Sequence, residues 1–501
     1  MIDTEMIKAA VKDAESTESK RAGTSEQQAG SDSEWPYKPA DYSDAGNADA
    51  FSKWVKGSLL HCPALGWLSW TGKNWTVSDH DAVSFAMQYA QLMLNDAIGK
   101  YSKIVREVAP GSTEEKAAKA YLNHAQKTRS KRSIDAFLSL SRPALYIELD
   151  TLDHDGLKLN TPGGLVDLRS GKIAPHSPDQ LCMEITACTP SAHGASEWED
   201  FLNDVTGNDG SLKYFLQCVA GMAAVGKVLT ETAVFLVGNG RNGKSTWLNA
   251  VAGVLGSYSR TMDISVLTTV QQNRGAAFAE LKGKRLICAG ELEQGSRLSV
   301  STLKQICSTD KITGERKYCA PAEFTPSHSL VLCSNYLPRV GADDRGCWRR
   351  IAVVPFNADF SGQKEIKNYA SFLVERAGGA ILQWVIDGAQ AFLKSGGKLQ
   401  IPDLVAEATE QYREAEDWLQ GFLDECCITD KGASRIKARA LYDAYKSYAG
   451  GLGDYCRRER DFAAAMESRG FRKLTIHGGR WYIGVRLSDY ESSRSYSYTN
   501  A

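Results

Sequence analysis

The apolar run TAVFLV, residues 232–237, passes directly into GNGRNGKST, residues 238–246, and then into the helical string WLNAVAGVLG. Strand, glycine-rich loop and helix in that order fit G-x-x-x-x-G-K-[ST], which commits this part of the chain to an α/β fold around a parallel sheet. Glycines let backbone N–H groups wrap a phosphate at a helix N-terminus, the lysine reaches the outer phosphates, and the hydroxyl is set beside Mg²⁺. Gly238, Asn239, Gly240, Arg241, Asn242, Gly243, Lys244, Ser245 and Thr246 are therefore the expected contacts to ATP, with Ser245 also on Mg²⁺. A glycine-rich turn matching by chance would lack the flanking strand and helix.

Three more apolar runs, RLICAG (285–290), SLVLCS (329–334) and IAVVPF (351–356), have the character of strands buried on both faces of such a sheet. Glu291 and Glu293 follow the first of these. Their spacing points both carboxylates to one side, one to hold Mg²⁺ and one to polarise a water, and the sequence leaves open which does which. Asn335 follows the next run, where an amide can orient the lytic water or sense the terminal phosphate; an Asn before Leu-Pro also suits a turn. Arg345, Arg349 and Arg350 precede the last run. An arginine offered to the developing phosphate charge accelerates P-loop hydrolysis by about 10³–10⁵, and pairing with Asp343 or Asp344 is the structural alternative.

The rest of the chain is read from composition and periodicity. Its 501 residues allow roughly three domains, and 59 Lys+Arg against 60 Asp+Glu exclude a uniformly basic nucleic-acid coat. Any polyanion must be met by local patches. Residues 1–50, with 11 acidic and 5 basic side chains and no periodicity, read as a disordered acidic tail. Residues 51–195 read as a mainly helical domain, with helical stretches at about 79–106 and 112–140 and a small β element around LNTPGGLVDLRSGKI. Residues 196–398 hold the α/β motor. Residues 403–488 give helices near 404–427, 436–448 and 459–468, then a hairpin with a His-Gly-Gly turn, the order of a winged helix-turn-helix; 489–501 read as a flexible tail. The twelve cysteines show no metal-ligand spacing and read as reduced core residues. A charged start and the lack of an 18-residue apolar stretch point to the host-cell cytoplasm.

Taken together, GNGRNGKST, GELEQG, LKQICSTDKITGERKY with EFTPSHSLVLCSNYLP, and DDRGCWRRI stand in the order seen in superfamily 3 helicases. The chain resembles the phage, plasmid and large-DNA-virus group whose members often carry a primase in front. The resemblance covers roughly residues 51–488 and implies a hexameric AAA+ ring that hydrolyses ATP and translocates on single-stranded DNA, typically 3′ to 5′. It implies ATP and Mg²⁺ at Gly243, Lys244 and Ser245, Walker B roles for Glu291 and Glu293 with Glu291 on Mg²⁺, and a sensor role for Asn335. Arg349 or Arg350 would be the finger given to the neighbouring subunit. Lys311, Arg316 and Lys317, in the segment resembling the pore loop, would follow the DNA backbone, which their charge also suits.

Two regions refine the expectation. Family members that prime carry a domain upstream with a catalytic Asp-x-Asp and His; only the tail precedes here, so the chain reads as a helicase without its primase, priming being left to a separate protein. The string Glu148-Leu-Asp-Thr-Leu-Asp153-His154-Asp155 offers metal-ligand residues but stands where the family has an ordinary turn. Residues 431–486 carry 13 basic and 5 acidic side chains, the charge footprint of backbone binding. A helix at 459–468 with Arg457, Arg458 and Arg460 at its start would lie against duplex, as on forked DNA; a protein-docking module is the alternative. Trp67, Trp70 and Trp75 read as core rather than a base-stacking surface. The competing functions are an ATP-switched initiator that melts an origin without processive unwinding and a primase-helicase whose priming site is unrecognised.

Overall fold

The computed structural model describes residues 37–268, 274–290, 296–315, 321–340, 345–360, 368–430, 432, 434–451, 456–476 and 479–488. Glu291, Glu293, Arg316 and Lys317 lie outside the described residues, as do the His-Gly of the expected hairpin turn.

The N-terminal part is mainly helical: α1 (Asp44–Trp54), α2 (Asp79–Glu107), α3 (Thr113–Thr128) and α4 (Lys131–Leu140). Each starts at a serine whose hydroxyl accepts a first-turn N–H: Ser43, Ser78, Ser112 and Ser130. The Ser130 cap divides the stretch expected to run unbroken over 112–140. Aromatic edges form the core, with Phe51 centroids 5.6 Å from Tyr89 and 5.4 Å from Phe137. The expected tail is corrected over residues 37–50. Tyr42 stacks on His124 at 4.7 Å and buried Asn47 Oδ1 lies 2.8 Å from His124 Nε2, so polar contacts order a segment whose composition reads as soluble. A three-stranded antiparallel sheet, Leu59–Cys62, Gly66–Trp70 and Trp75–Val77, holds Trp67 and Trp75 in the core with Trp70 half-buried beside Trp75; Trp75 Nε1 donates to the Pro178 carbonyl at 2.9 Å.

Five parallel strands follow: β1 (Ala233–Val237), β2 (Ser259–Met262), β3 (Leu286–Ala289), β4 (Ser329–Ser334) and β5 (Ile351–Pro355), in spatial order β5-β1-β4-β3-β2. Four of them are the apolar runs, and alternation shows why each is apolar throughout. Val234, Leu236, Val331, Cys333, Ala352 and Val354 enter one core, whereas Ala233, Phe235, Leu330, Leu332, Ile351 and Val353 enter the other. The first core is closed by α5 (Ala195–Thr206), α6 (Gly210–Ala224), α7 (Lys244–Leu255) and α8 (Tyr369–Lys394). Helices α6 and α8 meet at glycines, since a Cβ on Gly221 would stand 2.1 Å from the Gly388 carbonyl carbon. Strand β2 was not anticipated, because its sequence SRTM lies at an edge and is largely exposed.

Helix α9 (Asp403–Ala415) covers the opposite edge, where Thr409 Oγ1 accepts from the Val353 N–H at 2.9 Å and closes a strand donor that has no further strand beside it. Asp417 caps α10 (Trp418–Cys426) and ends the continuous helix expected through 427. The chain continues through α11 (Ala438–Gly451) and α12 (Glu459–Ser468) into strands Lys473–Ile476 and Gly479–Ile483, the latter also pairing with Arg435–Lys437. Phe422, Tyr445, Phe462, Met466 and Tyr482 form the core of this part. The described cysteines are free thiols, most of them buried.

Candidate functional site

The loop from Gly238 to Gly243 leaves the carboxyl end of β1 and opens α7. It depends on its glycines. A Cβ on Gly238 would sit 2.0 Å from Asn242 Nδ2, Gly240 has φ +88°, and Gly243, at +83°, would drive a Cβ to 2.3 Å from Val205 Cγ1. Arg241 also adopts the left-handed region at φ 47°. Two bonds fix the loop: Asn242 Nδ2 donates to the Phe356 carbonyl at 3.0 Å and the Phe360 N–H donates to the Arg241 carbonyl at 3.0 Å. The N-cap of α7 is Gly243, which has no side chain to close the first-turn N–H groups where the loop enters the helix.

Lys244 is 4% exposed, yet its Nζ lies 2.6 Å from Asn335 Oδ1 and 3.0 Å from the Gly238 carbonyl. The tip of β4 and the start of the loop thus tether one ammonium, joining residues 91 positions apart. Ser245 is exposed, with Oγ 3.4 Å from Cys333 Sγ, and Thr246 is half-buried on the same turn, as Asn239 stands exposed on the loop. Strand β3 ends beside β4, Ala289 opposite Leu332, two residues short of Glu291. An exposed hydroxyl at an open helix N-terminus beside a tethered lysine is a donor set that fits Mg²⁺ carried by a polyphosphate, since this cation keeps waters and phosphate oxygens as most of its ligands. Among the described residues no cluster of three or more His, Cys, Asp or Glu could hold a metal without them.

A cleft of about 1020 Å³ adjoins the loop, walled by Phe356 and Pro355 on one side and by Ala408, Gln411 and Tyr412 of α9 on the other. Neither α9 nor Phe356 was anticipated as part of the site. An amphipathic helix some 170 residues beyond the loop carries no local sign of it.

Arg349 and Arg350 lie at the other end of the sheet, where the Arg350 carbonyl accepts from the first N–H of β1. Five residues of strand separate them from the loop, about 15 Å. Arg350 is built into the fold: its side chain is 10% exposed, ion-paired with Glu231, and Nη1 donates to the Gly346 carbonyl at 2.6 Å. Arg349 is 68% exposed, its Nη2 3.6 Å from the same Glu231 carboxylate. Lys311 is exposed beside a two-stranded hairpin, Ile312–Gly314 with Ala322–Phe324, so the expected Thr-Gly turn is part of a strand. Of the C-terminal arginines, Arg458 and Arg460 are exposed at the start of α12, whereas Arg457 packs 5.1 Å from the Trp418 ring centroid.

The acidic string 148–155 is part of the scaffold. Asp153, at φ 53°, accepts the Met183 N–H at 2.9 Å; burial, then the Glu184 carboxylate, push its carboxyl up to about 6 from 3.8. Between those values the folded chain holds a proton that the unfolded chain has lost. The contribution is present below about pH 4 and is lost as pH rises through about 6. Asp153→Asn keeps the acceptor and the backbone conformation, so it should exceed wild type in stability by about 2 kcal/mol at pH 7 and show no gain at pH 4. Urea midpoints at both pH values check this; equal differences at both would contradict it.

Comparison with known proteins bears on the same segments. The family description "D5 N terminal like" matches residues 48–207, and "Family of unknown function (DUF5906)" matches residues 236–350, the segment from the end of β1 to Arg350. These two domains are of the kind typical of D5-like primase-helicases of viruses and phages. Among the chain's relatives, "Putative helicase L207/L206" of Acanthamoeba polyphaga mimivirus is 25% identical over 349 residues, 64% of this chain and 36% of that protein. "Putative helicase 022R" of Frog virus 3 (isolate Goorha) is 24% identical over 266 residues, 50% of this chain and 27% of that protein. The chain thus spans about a third, or less, of the length of these curated relatives. Among solved structures, the apo NrS-1 C-terminal region superposes with a TM-score of 0.38 at 14% identity, covering 60% of this chain and 77% of that one. No helix among the described residues is long and apolar enough to cross a membrane.

Proposed function

We propose that the chain is an ATP-dependent replicative DNA helicase, and the observation that carries this reading is the Lys244–Asn335 contact across the tips of β1 and β4. A lysine held by a neutral amide and a carbonyl, rather than by a carboxylate among the described residues, is an ammonium poised to exchange weak acceptors for phosphate oxygens. Asn335 is then close enough to register that exchange. In this reading Gly238–Thr246 bind the phosphates of ATP, the cleft under α9 takes the nucleoside, and its volume suits a ligand of that size. Ser245 and Glu291 would hold Mg²⁺, which would supply charge neutralisation on the phosphates, and one carboxylate of the Glu291–Glu293 pair would polarise the attacking water.

Arg349 serves as the finger, and its position supports a role in trans. It stands at the far end of the sheet from its own phosphate loop, so only a neighbouring subunit's site is within reach. A head-to-tail ring follows, which we take as a hexamer on family grounds. Lys311, Arg316 and Lys317 contact single-stranded DNA in the pore, and residues 403–488 form a winged helix with Arg458 and Arg460 toward duplex; translocation runs 3′ to 5′. The acidic tail is confined to the residues before 37, ahead of a helical collar to 195 and the AAA+ motor over 196–398, with a separate protein supplying primers.

Strand displacement on a forked substrate tests the reading. Wild type with ATP and Mg²⁺ should release the labelled strand, and Lys244→Ala should not. A chain that hydrolyses ATP on DNA without ever displacing a strand would instead be an origin-melting initiator. Primer synthesis lost in Asp153→Ala would make it a primase-helicase.

A further inference from the structure

The basic C-terminal part divides its charge unequally. On the helices, cations meet carboxylates: Arg439 pairs with Asp443 and Glu459, Lys446 with Asp443, and Arg469 with Asp417. The three-stranded sheet behind them is different. Its strands, Arg435–Lys437, Gly479–Ile483 and Lys473–Ile476 in that spatial order, contain no acidic residue. Register places Lys437, Trp481 and Leu474 side by side, with Arg435 opposite Ile483. Tyr482, the next residue on the central strand, is buried in the core, so alternation turns the Trp481 row to the outside. There Leu474 is 46% exposed, Arg435 Cζ lies 5.3 Å and Lys437 Nζ 5.9 Å from the Trp481 ring centroid, and neither cation has an ion pair among the described residues. Gly479 leaves room for the indole, since a Cβ there would stand 3.1 Å from Trp481 Nε1.

We propose that this sheet face is a binding site for an unpaired nucleic-acid strand, with one base stacked on Trp481 and its flanking phosphates on Arg435 and Lys437. The chemistry selects the ligand. The half-buried indole offers the outer part of its π-face to a base only if that base has left its own stack, and the two exposed cations over the ring can turn outward to phosphates as the base takes their place. Duplex interior bases are already stacked, so the site discriminates for single strand, unlike the arginines at the start of α12. It stands on different elements from Lys311 and the strand Ile312–Gly314. The inference rests on the helicase reading only for DNA as the polyanion.

Anisotropy of a labelled oligothymidylate and of a blunt duplex, measured on the full chain without nucleotide, tests it. Trp481→Ala should weaken single-strand binding about tenfold and duplex binding less than twofold, while Trp481→Phe, which keeps a stacking face, stays within about twofold of wild type. Arg435→Gln with Lys437→Gln, both exposed and tolerant of replacement, should lower the single-strand salt slope by about 1.4. Unchanged single-strand affinity in Trp481→Ala, equal losses on both DNAs, or an unchanged slope in the double variant would overturn the site. Because ATP is absent, a chain that binds this way yet displaces no strand would refute the motor and leave the site standing.

Discussion

Lys244→Ala is expected to reduce ATP hydrolysis by at least a hundredfold while moving the unfolding free energy by no more than about 1 kcal/mol. The two effects separate for a physical reason. In the folded chain the ammonium is almost fully buried and held by Asn335 Oδ1 and the Gly238 carbonyl, neutral groups that offset only part of its desolvation. Alanine removes a costly charge together with two bonds, and these changes oppose each other. In the proposed hydrolysis no such compensation exists, since the same charge would be the lysine contact to the outer phosphates. Phosphate release and thermal unfolding on one preparation check both halves. Activity above a tenth of wild type would place the phosphates elsewhere.

Arg349→Ala should lose about 10³-fold in ATPase and regain activity when mixed with Lys244→Ala protein. In a head-to-tail ring a competent site needs an intact loop from one subunit and an intact arginine from the next. Equal, random mixing supplies that pairing at about a quarter of interfaces, so recovery should approach roughly a quarter of wild type. Arg350 provides the contrast. Its guanidinium is closed in with Glu231 and Gly346, so Arg350→Ala should lower stability by about 2–3 kcal/mol and show no such recovery, because its loss weakens the variant's own fold and a neighbouring subunit cannot supply it. No recovery of Arg349→Ala at any ratio would assign it a role within its own subunit, against the five-residue strand that separates them.

What could be read beforehand was whatever the chain expresses locally. Runs such as TAVFLV and SLVLCS are apolar at every position because both sheet faces are covered, and the phosphate loop is local by nature. The exposed edge strand SRTM escaped notice for the converse reason. The order of residues 37–50 is not legible in their composition because Asn47 finds its side-chain partners in His124 and Thr128, 77 and 81 positions away. The same holds at the site. Asn335 was picked out as a strand-tip amide, but its contact with Lys244, the cleft under α9, and the contrast between buried Arg350 and exposed Arg349 all depend on tertiary placement. Net charge over 431–486 marks a basic module, but not that Arg439, Lys446 and Arg469 meet carboxylates whereas Arg435 and Lys437 beside Trp481 have no ion pair among the described residues.

Electron microscopy of the chain on forked DNA with a non-hydrolysable ATP analogue tests the central claim most directly. A closed ring with one strand through its centre, nucleotide at each Lys244, and Arg349 of the adjacent subunit against its outer phosphate is the result expected. Nucleotide bound to isolated subunits, or rings encircling intact duplex with Arg349 turned to solvent, would contradict it.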